Sequence, residues 1–284
     1  MKVGFIGAGK AGCSLGRYFA VKGSVAELFV TGYYSLIEEE ARWAAEFTQS
    51  MYFQSPDEVV LSSDAIILST PDGAVSDVWD ALDKRYVTGK IICHLSGSLS
   101  SDVFSGIGDC GAYPISIHPM FAFSNKESVY EQLQNVSFTL EGHEHAVSVW
   151  KNIFTKLGNP VALIEASVKG KYHAAASVLS NHVIAVLATG YELLLECGFS
   201  ETEARFFSRT LVRDNVKHVI ADGVVDALTG PIERADAGTV EKHLSVLSEE
   251  QRKLYQACGN RLLDIAREKN PDRNYGELQE LLKT

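Results

Sequence analysis

The chain has 284 residues, enough for one large domain or two ordinary ones, and its 46% hydrophobic and 22% charged content is that of a folded globular protein. A net charge of −10 argues against nucleic-acid binding, which wants a basic face. Polar residues interrupt the apolar stretches before the ~20 residues needed to cross a bilayer, so no membrane residence is expected. The five cysteines (Cys13, Cys93, Cys110, Cys197, Cys258) are scattered without a C-x-x-C pair, and the first residues read as a strand rather than a signal peptide. Reduced thiols, a cytoplasmic location and no metal site are the expectations.

Val3–Ile6 predicts a short buried strand that runs into Gly7-Ala8-Gly9-Lys10-Ala11-Gly12, and a helical pattern follows over Lys10–Lys22. A G-x-G-x-x-G between strand and helix is the dinucleotide-binding fingerprint. Gly7 permits the tight turn, Gly9 lets backbone approach a pyrophosphate, and Gly12 allows close helix–strand packing. A second strand is predicted over Glu27–Thr31, a helix over Ile37–Phe47 and a short run over Met51–Gln54. Asp64–Thr70 and Lys90–Leu95 read as strands covered on both faces, because their apolar runs are nearly continuous. A helix over Ala74–Leu82 separates them. Strands at Ile115–His118 and Val136–Leu140, a helix at His145–Lys156 and a strand at Val161–Ile164 complete this half.

Strand signal then almost disappears. One long helix is predicted over Val168–Cys197, stopped at Gly198. Ser200 to Glu203 forms a capping box for a helix reaching Ile220. The loop Thr229–Asp236 precedes helices over Thr239–Leu247 and Glu249–Lys269. The fold class is therefore α/β: a Rossmann-type doubly wound parallel sheet over residues 1–165, followed by an all-α domain over 166–284.

Ligands of open α/β sheets lie outside the carboxyl ends of the strands. Gly7, Ala8, Gly9, Lys10, Ala11, Gly12, Ser69, Thr70, Pro71 and Gly97 occupy such ends and are the expected cofactor contacts, with Ser35 after the second strand. The region Val30–Leu36 holds no carboxylate for a ribose 2′-hydroxyl, which favours NADP, and no Arg for a 2′-phosphate, which leaves NAD possible. The long helix carries Lys169, His173, Ser177 and Asn181 at steps of four, a polar row in apolar surroundings. Ser96, His118, His173 and Asn181 are the candidate catalytic residues, with His173 as general acid. Ser98, Ser177 and Arg234 are candidate substrate contacts, the last as a clamp for a carboxylate. Arg234 and Asp236 read equally well as a helix-capping surface pair. His143 and His145 read as a helix-start pair, and Arg205, Arg209, Arg213 and Lys217 as a solvated face.

Six segments carry a family resemblance: Gly7 to Gly12, Ser69 to Asp72, His94 to Gly97, Ile117 to Met120, Tyr172 to Ala175 with Asn181, and Thr229 to Asp236. On these the chain resembles two-domain proteins with a Rossmann-like domain and an uncharacterised helical C-terminal domain, often labelled NADP oxidoreductases of the coenzyme F420-dependent type. More distantly it is similar to the β-hydroxyacid dehydrogenase superfamily, beside pyrroline-5-carboxylate and ketopantoate reductases. The resemblance implies a helical dimerisation domain that completes the cofactor cleft, hence a homodimer. The superfamily's catalytic Lys-x-x-x-Asn has no literal match, and nothing in the residues supports F420. The function expected is hydride transfer between NADP and a small, anionic carbonyl or imine substrate. The alternative is a non-catalytic NAD(P)-binding sensor or assembly module.

Overall fold

The computed structural model describes residues 1–283 and divides into two compact units, Met1–Ser180 and Asn181–Thr284. In the first, the elements follow in the order β1 (Lys2–Ile6), α1 (Lys10–Lys22), β2 (Phe29–Tyr34), α2 (Glu38–Thr48), β3 (Met51–Tyr52), α3 (Pro56–Ser62), β4 (Ala65–Leu68), α4 (Val75–Ala81), β5 (Ile91–His94), β6 (Tyr113–Pro119), β7 (Phe138–Gly142), α5 (Glu144–Leu157), β8 (Val161–Leu163) and α6 (Lys169–Ser177). They build one sheet of order β3-β2-β1-β4-β5-β6-β7-β8. Among the described residues only the β6–β7 pairing is antiparallel. This is the doubly wound arrangement expected from the alternation of strand and helix patterns, with the order reversing between β1 and β4.

The apolar runs of β4 and β5 are buried at every position, as a strand covered on both faces requires. One face packs Leu15, Phe19, Ala41, Trp150 and Phe154 from α1, α2 and α5; the other packs Val59, Val60, Val75 and Trp79 from α3 and α4. The second strand starts later than its sequence pattern suggests. Glu27 adopts a left-handed backbone (φ 54°) that closes a 3₁₀ turn, and the strand begins only at Phe29.

The second unit contains α7 (Val183–Glu196), α8 (Glu201–Ala227), α9 (Ala237–Val246), α10 (Glu249–Lys269) and α11 (Gly276–Leu281). The capping box at Ser200 forms as expected. α8 runs past Ile220 to a break at Gly223, whose φ is 84°. The helix α11 carries no periodic signal long enough to predict it. The single long helix expected over Val168–Cys197 is interrupted: Val178–His182 is a π-helical turn between α6 and α7, a rarity that is frequent at functional sites. Taken together, Ala166–Glu196 is long and apolar enough to cross a membrane by length and composition, with none of its apolar window buried. That corrects the expectation that no stretch reaches such a length.

Candidate functional site

The turn from β1 to α1 is built by packing constraints that differ at each glycine. Gly7 has φ +104°, and a Cβ there would lie 2.9 Å from the carbonyl carbon and oxygen of Ser69 at the end of β4. At Gly12 a Cβ would meet Ser69 Oγ at 2.3 Å, the hydroxyl that donates to the Gly7 carbonyl at 2.8 Å. Gly9 is different. It is extended (φ −73°, ψ −179°), and its Cβ would touch only Ser69 O, at an ordinary 3.8 Å. The protein's own packing therefore gives no reason for glycine at this position, whereas close approach of a ligand does. Gly9 is also the N-cap of α1, has no side chain to cap it, and is followed by a first turn without acidic residues. Such an end offers free N–H groups and a positive dipole to an anion. Ser55, Ser200 and Ser248, by contrast, cap their own helices.

Beside this turn, at the end of β4, the Thr70 hydroxyl is buried with no hydrogen-bond partner, which is rare for a buried polar atom. Of the remaining expected cofactor contacts, Ala8 is buried while Lys10 and Pro71 are exposed. Ser35 Oγ accepts from the Ile37 N–H at 3.3 Å. Two carboxylates of the following helix are paired: Glu38 with Arg42 and Glu40 with Lys126.

The ends of β4, β5 and β6 and the start of α6 bring a second group of polar side chains together. Ser96 is buried; its hydroxyl donates to Asp72 Oδ2 at 2.6 Å and accepts from the N–H groups of Ser98 (3.1 Å) and Leu99 (3.0 Å). Its one proton is thus committed to Asp72, and the residue fixes its loop. Ser98 Oγ donates to the same Asp72 oxygen at 2.8 Å. Behind the loop, His94 accepts from the Ser96 N–H through Nδ1 and meets the Ser100 carbonyl through Nε2, both at 3.2 Å. Both nitrogens have partners only when the ring is neutral, and burial lowers its pKa to about 4.

Lys169, the first residue of α6, is 2% exposed. Its Nζ donates to the Ser96 carbonyl (2.9 Å) and to Ser116 Oγ (2.6 Å), and burial lowers its pKa to about 8. The sequence marked Lys169 as the head of a polar row but not as a site residue; its buried amine anchors the Ser96–Gly97–Ser98 loop to α6.

His118 and His173 meet over Gly97. A Cβ on Gly97 would stand 2.7 Å from His173 Cδ2 and 2.8 Å from His118 Nε2, so the two rings occupy the room its absent side chain leaves. Their centroids are 6.2 Å apart. His118 Nδ1 lies 2.7 Å from the Tyr172 hydroxyl, which accepts from Thr139 Oγ1 at 2.9 Å. The antiparallel pairing of β6 and β7 places Thr139 opposite His118. Burial first, then the charges of Lys169 and His173, lower the His118 pKa to about 4. Asp72, Tyr172 and Thr139 were not singled out by residue type or spacing, although Asp72 and Tyr172 lie within the segments Ser69 to Asp72 and Tyr172 to Ala175.

The structure thus brings Ser96, Gly97, Ser98, His118 and His173 together in the first unit. Ser177 lies on α6 with His173, while Asn181 falls in the π-helical turn and Arg234 in the turn before α9, both in the second unit. Asp236 caps α9 by accepting from Thr239 N and Oγ1 at 3.0 and 2.7 Å, the capping reading of that loop. His143 likewise starts α5, its ring accepting from the His145 N–H.

Comparison with known proteins agrees with this architecture. A Rossmann-like domain model matches residues 1–119, and a model for a domain of unknown function, DUF2520, matches residues 136–262. Protein TM1727 from Thermotoga maritima is 24% identical with a TM-score of 0.73, over 94% of this chain and 99% of that one. An imine reductase from Pseudomonas sp. is 18% identical with a TM-score of 0.59, covering 99% and 91%. Pyrroline carboxylate reductase from Plasmodium falciparum, with NADP bound, is 15% identical with a TM-score of 0.63, covering 95% and 96%. At these identities the likeness is one of fold. No curated protein matches the chain by sequence.

Proposed function

The chain belongs to the proteins that join a Rossmann-like domain to a DUF2520 domain, and from that premise we propose that it is an NADP-dependent oxidoreductase acting on a small carbonyl or imine substrate. The observation that carries this reading is the β1–α1 turn: an uncapped helix end, open at Gly9 and flanked by the unpaired Thr70 hydroxyl. Solved proteins of this fold include one with NADP bound. The residues fit a dinucleotide. The N–H groups of the turn Gly7 to Gly12 would hold its pyrophosphate, Thr70 would donate to it from the end of β4, and Ser35 would face its adenosine ribose. When bound, the nicotinamide supplies or accepts the hydride.

The chain's own residues then orient the substrate and handle the proton. His118 is held neutral. The His173 ring stands beside Gly97, 6.2 Å from the His118 ring, where it would give or take the proton. NADP is proposed over NAD because the end of β2 offers no carboxylate to a 2′-hydroxyl. Fluorescence titration with NADPH and NADH tests both statements. Tighter binding of NADPH is expected; tighter NADH would reverse the cofactor assignment, and binding of neither would remove the oxidoreductase reading.

We also propose that the active protein is a homodimer through the helical domain. α7 and α8 expose Ile184 (68%), Phe207 (64%), Leu211 (75%) and Ile220 (80%). Apolar patches larger than a few hundred Å² are rarely left uncovered on a soluble monomer, and a second copy of the same helices presents an equally apolar surface. Sedimentation equilibrium is expected to give twice the chain mass, and the Leu211→Glu, Ile220→Glu double variant to give a folded monomer. A wild-type monomer that partitions into neutral lipid vesicles would instead assign the face to a membrane.

A further inference from the structure

The mechanism so far uses His118 only as a neutral ring, and which of its nitrogens carries the proton decides what it can do. Four hydroxyl contacts settle the direction. Thr139 Oγ1 reaches Tyr172 Oη at 2.9 Å and the His118 carbonyl at 3.4 Å, so its single proton goes to the nearer, tyrosine oxygen. That oxygen then has its own proton to place. Its two acceptors are His118 Nδ1 at 2.7 Å and the Met120 thioether at 3.9 Å, and the imidazole nitrogen is both closer and by far the stronger acceptor. Burial raises the Tyr172 pKa, so the phenol keeps its proton near neutral pH. Nδ1 therefore accepts, and the ring hydrogen must sit on Nε2, the atom that faces the position of a Gly97 side chain.

We propose that Tyr172 is the positioning residue that holds His118 in its Nε2–H form, so that a neutral N–H beside Gly97 recognises the lone pair of a carbonyl oxygen or imine nitrogen. The inference deepens, and rests on, the oxidoreductase reading for the identity of that acceptor; the tautomer itself does not depend on it. The charged and titratable groups around the ring are Lys169 and His173 on α6, His94 on β5 and Asp72 after β4. An imidazolium at His118 would face Lys169 with no carboxylate in hydrogen-bond contact, which keeps the ring neutral and makes its tautomer the controlling variable. Tyr172 and Thr139 reach it from α6 and β7, so residues on two elements orient a ring on a third.

The test is the two-bond ¹H–¹⁵N spectrum of full-length protein labelled at histidine, recorded without nucleotide at pH 7.5, with the His118 signals assigned by their loss in His118→Asn. The expected result is a protonated Nε2 and an unprotonated Nδ1 in the wild type, shifting to a mixed or Nδ1–H form in Tyr172→Phe. A wild-type ring protonated at Nδ1 would overturn the proposal, and so would a tautomer unchanged in Tyr172→Phe. Even if that variant fails to fold, a wild-type ring protonated at Nδ1 overturns the proposal. Failure of NADPH to bind would sink the oxidoreductase reading and leave this result standing.

Discussion

Gly9→Ala is expected to cost the fold less than about 1 kcal/mol, as alanine for glycine at an N-cap, while weakening NADPH binding at least ten-fold, about 1.4 kcal/mol. The backbone of Gly9 is already in an extended conformation open to any residue, and the added methyl meets only Ser69 O at 3.8 Å. Gly→Ala at a compatible conformation gains slightly through the unfolded chain, which offsets part of what alanine loses to glycine at an N-cap. The cost to binding arises only when a pyrophosphate occupies the space the methyl has taken. Gly7→Ala makes the contrast. Its φ of +104° and a Cβ 2.9 Å from the Ser69 backbone force strain that the fold must absorb with or without ligand. A loss of about 1–3 kcal/mol follows, which lowers Tm by about 2–12 °C. Thermal melts read one quantity and fluorescence titration the other. If Gly9→Ala binds NADPH as tightly as the wild type, no dinucleotide approaches this turn and the proposed function falls.

The turn was legible because its determinants are local: three glycines at fixed spacing, a strand before and a helix after. The same holds for the Ser200 capping box and for the alternation that gave the doubly wound sheet. What stayed hidden depends on pairing at a distance. Thr139 meets His118 only because β7 runs antiparallel to β6, and nothing in Val136–Leu140 distinguishes that direction from the parallel one. Asp72 takes its meaning from two hydroxyls 24 and 26 residues away. Lys169 heads the row of four-residue steps that drew attention to His173, and Tyr172 lies beside it. Whether a lysine at the head of such a row points outward or is buried beneath a loop is decided by the sheet it packs on. The π turn at Val178–His182 also breaks the steps of four before Asn181, so even spacing in sequence did not mean one continuous face.

Those distant pairings have a consequence for acid stability. Unfolding free energy is expected to fall steeply as pH drops from about 6.5 to about 4, because His94 and His118 each have a folded pKa near 4, against 6.5 for the free side chain. Above 6.5 the rings are neutral in both folded and unfolded chains and contribute no slope. Below it the unfolded chain takes up two protons that the folded protein refuses, so stability is lost until the folded rings also titrate. Each ring contributes up to about 1.4 kcal/mol per pH unit, or about 3 kcal/mol across the window. Two such rings remove about 4–6 kcal/mol once partial hydration is allowed for, a large part of the 5–15 kcal/mol that holds a typical domain together. The structural reason is specific. An added proton on His94 would set an N–H against the Ser96 N–H it now accepts, and one on His118 would displace the Tyr172 hydroxyl from Nδ1. Urea titrations at half-unit pH intervals from 7.5 to 4.5 measure the slope. His94→Gln, which keeps a donor and an acceptor but does not titrate, is expected to halve it, whatever its effect on stability at neutral pH. A wild-type profile flat between 6.5 and 4.5 would mean that both rings titrate as free histidines, and that the buried neutral pair beneath the Ser96–Gly97–Ser98 loop does not exist in solution.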